Sequence, residues 1–365
     1  MQTTNEQPRY RLLGEPGSPY SLKMRAVLRY RRLPHNWIVP QGYINEGGEL
    51  KTSGKPIIPV MQPQEGGYWA DSTPMILELE RRHPGQRSVL PDDPAQRFLA
   101  RLIEDFADEL FVLVLFDFRW DKEVDQAFCA RRQMAGWLGA MPTAQFDEII
   151  EKFRARQTTL LAALGDRTVN RPLLHEIYAE VLEAMEAQLE VNRFMFGERP
   201  SIADFGLYGQ LSQNAIDPTP SKIMRDTAVR TYQWVQDMDD ASGVEGDWLA
   251  SGSPLDPGVQ KLLKLIGEVY LPYMVACAKA AAEGERTVSI TLRGQPFVTR
   301  AGLYKPRCLG ALKLELAEAL AEGAPGLEEV LRQYNCWEAL QLAPGEAETV
   351  NVPRHDVTEA QSGPF

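Results

Sequence analysis

The first ninety residues alternate between short apolar runs and helical patterns. Four apolar runs have the length of strands and are bounded by turn residues: 10–13, 37–39, 59–61 and 68–70. Between and after them, residues 22–32 and 75–82 carry apolar side chains at helical spacing. The pattern predicts a small mixed-sheet domain over residues 1–90, with the element order β-α-β-β-β-α.

Beyond the linker Pro91-Asp92-Asp93-Pro94 the strand pattern stops and helical periodicity takes over. Six helices are predicted from the spacing of apolar residues: 95–120, 146–164, 173–194, 202–213, 229–238 and 259–282. We therefore expect an all-helical domain over residues 95–282.

The segment 283–365 returns to a mixed pattern. Val288, Ile290 and Leu292 alternate with polar residues, Gly294 marks a turn, and 297–299 reads as the returning strand of a hairpin. Helices are predicted over 309–321 and 327–340, and the last twenty residues are expected to be loosely held. The chain as a whole is thus predicted to be α+β, with a small α+β C-terminal extension.

Composition narrows the class of protein. The 365 residues are 44% hydrophobic and carry a formal net charge of −11, which makes a nucleic-acid backbone a poor partner. Four widely spaced cysteines are typical of reduced thiols in a cytoplasmic protein, and four scattered histidines indicate no metal site. The polar N-terminus lacks a signal core, and the apolar run 110–116 is shorter than the ~20 residues of a membrane helix.

Four local features stand where chemistry could occur. They are Ser18-Pro19-Tyr20-Ser21 before the first helix, Ile58-Pro59 before a strand, Asp71-Ser72 at a helix start, and Ser201 with Asp204 as a capping box. Taken singly, each has a folding explanation, because serine and aspartate cap helices and proline suits a helix or strand start.

In this order and spacing the features resemble the glutathione transferase superfamily, which has a thioredoxin-like N-terminal domain and a helical C-terminal domain. The resemblance rests on 18–25, on Gly54-Lys55 leading to 58–60, on Asp71-Ser72 and on 200–205. It covers about residues 9–270 and leaves out the last ninety or so.

The resemblance implies a role for each matching residue. Ser18 stands at the position that activates the glutathione thiol, and Ser21 is the alternative. Ile58 would bind the cysteinyl part of glutathione through its backbone, and its bond to Pro59 would be cis.

The same resemblance places the ends of the tripeptide. Asp71 and Ser72 would hold the γ-glutamyl end, with the helix N-terminus receiving its carboxylate. Lys55 would contact the glycyl carboxylate.

We therefore expect a cytoplasmic glutathione transferase-like enzyme that activates the glutathione thiolate for attack on an apolar electrophile. The resemblance implies a homodimer, whereas the acidic charge, the scattered histidines and the lack of a long apolar run indicate no nucleic-acid partner, no metal and no membrane partner. An ether-cleaving or dehalogenating enzyme would use the same site. A non-catalytic binding or scaffold protein is the other alternative, although it would have no need to retain the Ser-Pro, Ile-Pro and Asp-Ser set.

Overall fold

The structure is a computed structural model that describes residues 10–39, 50, 53–54, 57–85, 87–138 and 140–356, without the side chains of 161–164. Its elements form a four-stranded sheet with two helices, a helical domain, and a hairpin followed by two helices. The fold class is α+β, as the sequence predicts.

The N-terminal domain contains the four predicted strands and both predicted helices. They are β1 Tyr10–Leu13, α1 Pro19–Tyr30, β2 His35–Ile38, β3 Val60–Pro63, β4 Trp69–Ala70 and α2 Ser72–Arg82. The sheet order is β2-β1-β3-β4, with β1 parallel to β2 and antiparallel to β3. This places β1 inside the sheet, where Tyr10, Leu12 and Leu13 are buried.

The helical domain has more elements than the periodicity predicts. They are α3 Pro94–Phe106, a π-helical turn Ala107–Phe111, α4 Val112–Asp121, α5 Glu123–Leu138, α6 Thr143–Leu164, α7 Arg167–Leu189, α8 Ile202–Asn214, α9 Pro218–Thr227, α10 Val229–Met238, α11 Pro257–Leu265, a second π-helical turn Ile266–Tyr270 and α12 Leu271–Ala282. The single helix predicted over 95–120 is thus divided by a wider turn.

Two helices were missed by the sequence analysis. Helix α5 buries only a narrow stripe, including Cys129, Met134 and Trp137, and leaves apolar residues such as Val124 and Phe128 exposed. Helix α9 has ten residues and begins at Pro218, so it is too short to show a clear period. Helix α5 is thus hidden by the lack of a clear apolar face, and α9 by its short length.

The continuous span Pro257–Ala282 is the most membrane-like helix of the described residues. It is 26 residues long with a mean hydropathy of 1.2 in its most apolar window, enough to cross a membrane by length and composition alone. Within that window, 56% of the residues are buried inside the protein. This burial is typical of a core helix, and the span exceeds the run 110–116 singled out from the sequence.

The extension packs against the helical domain. It comprises β5 Thr287–Leu292, β6 Gln295–Arg300, α13 Tyr304–Ala321, α14 Leu327–Gln333 and 3₁₀ turns at Glu338–Leu340 and Glu346–Glu348. Val288, Leu292 and Phe297 are buried, so the predicted apolar face of the hairpin has found a partner. Asn170 of α7 completes the edge of β6 by bonding both the N–H (2.8 Å) and the C=O (2.7 Å) of Val298.

Two predictions about the extension differ from the structure. The helix predicted over 327–340 ends at Gln333, and Asn335 adopts the left-handed conformation with φ 58°. The described part of the tail is tied to the sheet near its end, because the N–H of Ala70 donates to the C=O of His355 at 2.9 Å. Residues 357–365 lie outside the described part of the chain.

Candidate functional site

The predicted site segments lie together at one end of the sheet. Leu13 of β1 pairs with Val60 of β3, and Val60 pairs in turn with Ala70 of β4. The chain leaves β1 toward Ser18, enters β3 from Pro59, and leaves β4 into Asp71. All three segments therefore meet at the same end of the sheet.

Ser18 is the N-cap of α1 and lies half-buried at the start of the helix. Its Oγ accepts from the N–H of Ser21 at 3.3 Å, so the capping role is real. A hydroxyl that accepts one hydrogen bond still has its O–H to donate, and the dipole of α1 favours a negative charge here.

Ser21 is placed differently. Its side chain is buried, and its Oγ has no hydrogen-bond partner among the described residues. It faces Gly14, where a Cβ would lie 2.8 Å from that oxygen, and only glycine leaves room for both. Of the two serines, Ser18 is the one that a ligand can reach.

The loop that leads to Ser18 is held by the helical domain. Arg119 of α4 donates to the C=O of Gly17 at 2.9 Å, and Arg132 of α5 donates to the C=O of Pro16 at 3.1 Å. Gln213 of α8 also donates to Pro16, at 3.0 Å. Three helices thus fix the backbone immediately before Ser18; we call this end of the site the Ser18 end.

The two arginines are balanced by buried carboxyl groups. Arg119 Nε donates to Asp217 Oδ2 at 2.6 Å, and the N–H of Gly17 donates to Glu15 Oε2 at 2.6 Å. Burial raises the pKa of Glu15 to about 7, although Arg132 and the Gly17 amide act in the opposite direction. This network was not predicted from the sequence. Its one sequence signal is Arg119 itself, a charged residue within the mostly apolar segment 110–120.

The segment before β3 contains the cis bond that the resemblance implies, between Ile58 and Pro59. Ile58 is half-buried and Pro59 is buried. Lys55, the predicted contact for the glycyl carboxylate, lies outside the described residues.

Asp71 and Ser72 form the other end of the site, which we call the Asp71 end. Asp71 has φ 79°, in the left-handed region, and its carboxylate does not cap α2. Instead, Asp71 Oδ2 accepts from the hydroxyl of Tyr304, the first residue of α13, at 2.6 Å. Asp71 is 8% exposed and Ser72 is 4% exposed. The extension therefore borders the candidate site directly, a contact that the sequence analysis did not identify.

Burial governs the ionisation of this contact. It raises the pKa of Asp71 to about 7, and the hydrogen bond from Tyr304 only partly opposes this. Burial, and next the negative charge of Asp71, raise the pKa of Tyr304 well above its usual value, so the phenol keeps its proton and remains the donor.

Beneath Ser72 lies a buried cluster of charged residues. Lys23 of α1 is 0% exposed and donates to Asp108 Oδ2 at 2.6 Å and to Glu104. Its Nζ also lies 3.4 Å from Ser72 Oγ, which links the cluster to the Asp71 end. Burial acts to raise the pKa of Glu104, but the charges of Arg101 and Lys23 outweigh it and hold that pKa below its usual value. For Asp108 burial dominates and raises the pKa to about 7.

The π-helical turn Ala107–Phe111 supplies acceptors to this region. Tyr20 donates to the C=O of Asp108 at 2.8 Å, and Lys305 of α13 donates to the C=O of Glu109 at 2.7 Å. The widened turn thus ties both α1 and the extension to the helical domain, as is common for π-bulges near functional sites.

Comparisons with known proteins agree with this architecture. Residues 12–87 match the family described as "Glutathione S-transferase, N-terminal domain". The chain is 29% identical over 133 residues to glutathione S-transferase U8 of Arabidopsis thaliana, covering 34% of this chain and 58% of the relative. It is 26% identical over 144 residues to the probable glutathione S-transferase GSTU6 of Oryza sativa subsp. japonica, covering 35% and 60%.

Among solved structures, the tau class glutathione S-transferase MiGSTU from mango, Mangifera indica, aligns over 65% of this chain and 91% of its own. The TM-score is 0.41 and the sequence identity 17%. The sequence matches to the two curated relatives span 58% and 60% of their lengths.

The class of protein follows from the N-terminal domain. A mixed β2-β1-β3-β4 sheet with a cis proline before β3, matched over 12–87, is a glutathione S-transferase N-terminal domain. The family match covers this domain, residues 12–87, and the rest of the chain lies outside it.

Proposed function

We propose that this protein binds glutathione at the end of the sheet described above and activates its thiol for attack on an apolar electrophile. The observation that carries the proposal is the row Leu13, Val60 and Ala70. These three paired residues bring the helix-capping hydroxyl of Ser18, the cis bond before Pro59 and the Asp71-Ser72 pair to one end of the sheet. In the proposed complex, Ser18 contacts the thiol, Ile58 the cysteinyl backbone, and Asp71 with Ser72 the γ-glutamyl end.

The chemistry asked of Ser18 is modest. A thiol with a pKa of ~8.5 is only a few per cent ionised at pH 7. A hydrogen bond to a charged group stabilises it by about 1.5–3 kcal/mol, and ~1.4 kcal/mol corresponds to one pKa unit. One hydroxyl at a helix N-terminus therefore suffices to ionise a large fraction of the bound glutathione thiol at pH 7. The mechanism needs no general base. The electrons of the new C–S bond come from the thiolate, and the leaving group departs from the electrophile.

The arrangement of the Ser18 end favours Ser18 over Ser21 for this role. Ser18 is half-buried and its O–H is available, whereas Ser21 is enclosed against Gly14. The buried arginine contacts to Gly17 and Pro16 would keep the hydroxyl in place, which is the preorganisation that an electrostatic catalyst requires.

Calorimetric titration with glutathione, followed by turnover assays with aryl halides, tests the proposal. We expect binding of the tripeptide and glutathione-dependent release of halide. Binding without turnover of any electrophile would support a non-catalytic glutathione-binding protein, and absence of binding would overturn the proposed function and leave the scaffold alternative. An apolar second substrate, a cytoplasmic location and a homodimer belong to the same proposal, and sedimentation analysis tests the dimer.

A further inference from the structure

We propose that Tyr304 is a gate with two positions at the Asp71 end, and that its ring must leave Asp71 before the γ-glutamyl group of glutathione can bind there. This inference rests on the proposed function, because it concerns the same tripeptide site. It adds a residue of the extension that controls entry.

The first observation is that the Asp71 end is closed. The Tyr304 hydroxyl holds Asp71 Oδ2 at 2.6 Å, and the side chains of Asp71 and Ser72 are almost fully buried. An ammonium group of a ligand cannot bond Asp71 Oδ2 without displacing the Tyr304 hydroxyl. The Ser18 end is half-exposed by contrast, so only one end of the site is covered.

The closed position is anchored by the next residue along the chain. Lys305 donates to the C=O of Glu109 at 2.7 Å and to its carboxylate at 3.0 Å. This buried pair holds the backbone of the first turn of α13 in place. The moving part is therefore a ring and not a helix.

The second observation is space for that ring. A cavity of about 240 Å³ adjoins Tyr304 and is lined also by Thr73, Leu77, Cys308 and Ala311. A cavity of about 150 Å³ is large enough to hold benzene. The phenol ring can therefore move into this cavity without unfolding the extension.

The third observation is a buried acceptor without a described partner, on a residue that lines the cavity. Asp108 lines it, is 5% exposed, and its Oδ1 has no hydrogen-bond partner among the described residues. A hydroxyl that leaves Asp71 can donate to this oxygen instead. Each position of the ring then has a carboxylate acceptor, which is what a two-state element requires.

Stopped-flow measurement of glutathione association tests the gate through two substitutions with opposite effects. Tyr304→Phe removes the bond to Asp71 and keeps the ring, so association should become about tenfold faster, as expected for loss of one hydrogen bond to a charged group. Ala311→Leu fills the cavity, so the ring has no place to go and association should become at least about tenfold slower. Ala317→Leu is the matched control, because Ala317 is exposed on the same helix; its rate should equal that of the wild type.

The outcomes separate the gate from the proposed function. Wild-type rates in both Tyr304→Phe and Ala311→Leu, with glutathione bound, would overturn the gate and leave the proposed function standing. Slower association in Tyr304→Phe would also overturn the gate, because Tyr304 would then assist the ligand. If neither the wild type nor any variant binds glutathione, the proposed function fails and the gate fails with it. Tyr304→Phe removes a single oxygen atom, so it alone decides the question if Ala311→Leu does not fold.

Discussion

The two ends of the candidate site are built from different parts of the chain and with different balances of charge. At the Ser18 end, Arg119 and Arg132 of the helical domain hold backbone carbonyls, and Asp217 and Glu15 balance them. At the Asp71 end, described carboxyl groups outnumber the cations: Asp71, Glu104, Asp105, Asp108 and Glu109 face Lys23, Arg101 and Lys305.

This difference explains why one end is open and the other closed. Balanced ion pairs fix the loop before Ser18, whose hydroxyl stays half-exposed. An excess of buried carboxyl groups must be relieved by protonation or by donors, and the extension provides donors through Tyr304 and Lys305. The extension is therefore part of the electrostatics of the site and more than an appendage to it.

The largest effect is expected at the Ser18 end. Arg119→Met leaves the buried Asp217 without its main partner, which costs about 3–5 kcal/mol in the free energy of unfolding. Urea denaturation measures the loss. The control is Arg131→Met, whose pair with Asp147 is exposed and should change stability by less than about 1 kcal/mol. Equal losses in the two variants would contradict the structural role given to Arg119.

The next effect concerns the activating hydroxyl. Ser18→Ala should raise the pKa of the bound glutathione thiol by about one to two units, through loss of a hydrogen bond to the thiolate. The thiolate absorbance of the complex, titrated against pH, reports this value. Ser21→Ala is the control and should leave the titration unchanged; the reverse result would transfer the role to Ser21.

A comparable or smaller effect is expected at the Asp71 end. Ser72→Ala should weaken glutathione binding by about 1–3 kcal/mol, because a hydroxyl that bonds a charged group of the tripeptide is lost. Calorimetry measures the affinity. The unfolding free energy of the same variant must stay near that of the wild type, since a large loss would show that contact with Lys23, not with the ligand, is the main role of Ser72.

The last effect is spread over several pH units and comes from the buried carboxyl groups. The pKa values of Glu15 and Asp71 are each raised to about 7, so both hold a proton in the folded chain at pH values where the unfolded chain has lost it. Stability should therefore fall as pH rises from about 4.5 to 7, by at most ~1.4 kcal/mol per pH unit for each group.

Two variants show how much of the decline in stability with pH comes from Glu15 and how much from Asp71. Glu15→Gln and Asp71→Asn each remove one titrating group, so each should make the decline of unfolding free energy with pH shallower. A decline unchanged in Asp71→Asn but reduced in Glu15→Gln would show that Glu15, and not Asp71, contributes to the pH dependence.

Much of the N-terminal domain was predictable because its signals are local. Strands such as 10–13 and the helix beginning at Asp71-Ser72 follow from apolar runs and capping residues within a few positions. The capping box of Ser201 and Asp204 is likewise confirmed, with the N–H of Ser201 donating to Asp204 Oδ2 at 2.8 Å.

The rest depends on contacts between distant segments. No feature around Tyr304 indicates that its hydroxyl meets Asp71, because the pairing arises only when α13 packs on α3. The π-helical turn Ala107–Phe111 lies in an apolar stretch whose pattern is equally compatible with a regular helix. Site residues that act through long-range packing therefore escape a reading of local sequence.

The hydrogen bond between Ala70 and His355 has a consequence for biosynthesis. Strand β4 is the edge of the sheet, and an exposed edge is a template for pairing with other chains. At ~5–20 residues per second, translation reaches His355 roughly 15 to 60 seconds after Ala70. During that interval the N-terminal domain can fold, yet this segment of the tail is not there to protect its edge. The Ala70 N–H at this edge is therefore unpaired by the tail during synthesis, and only the finished chain can cover it.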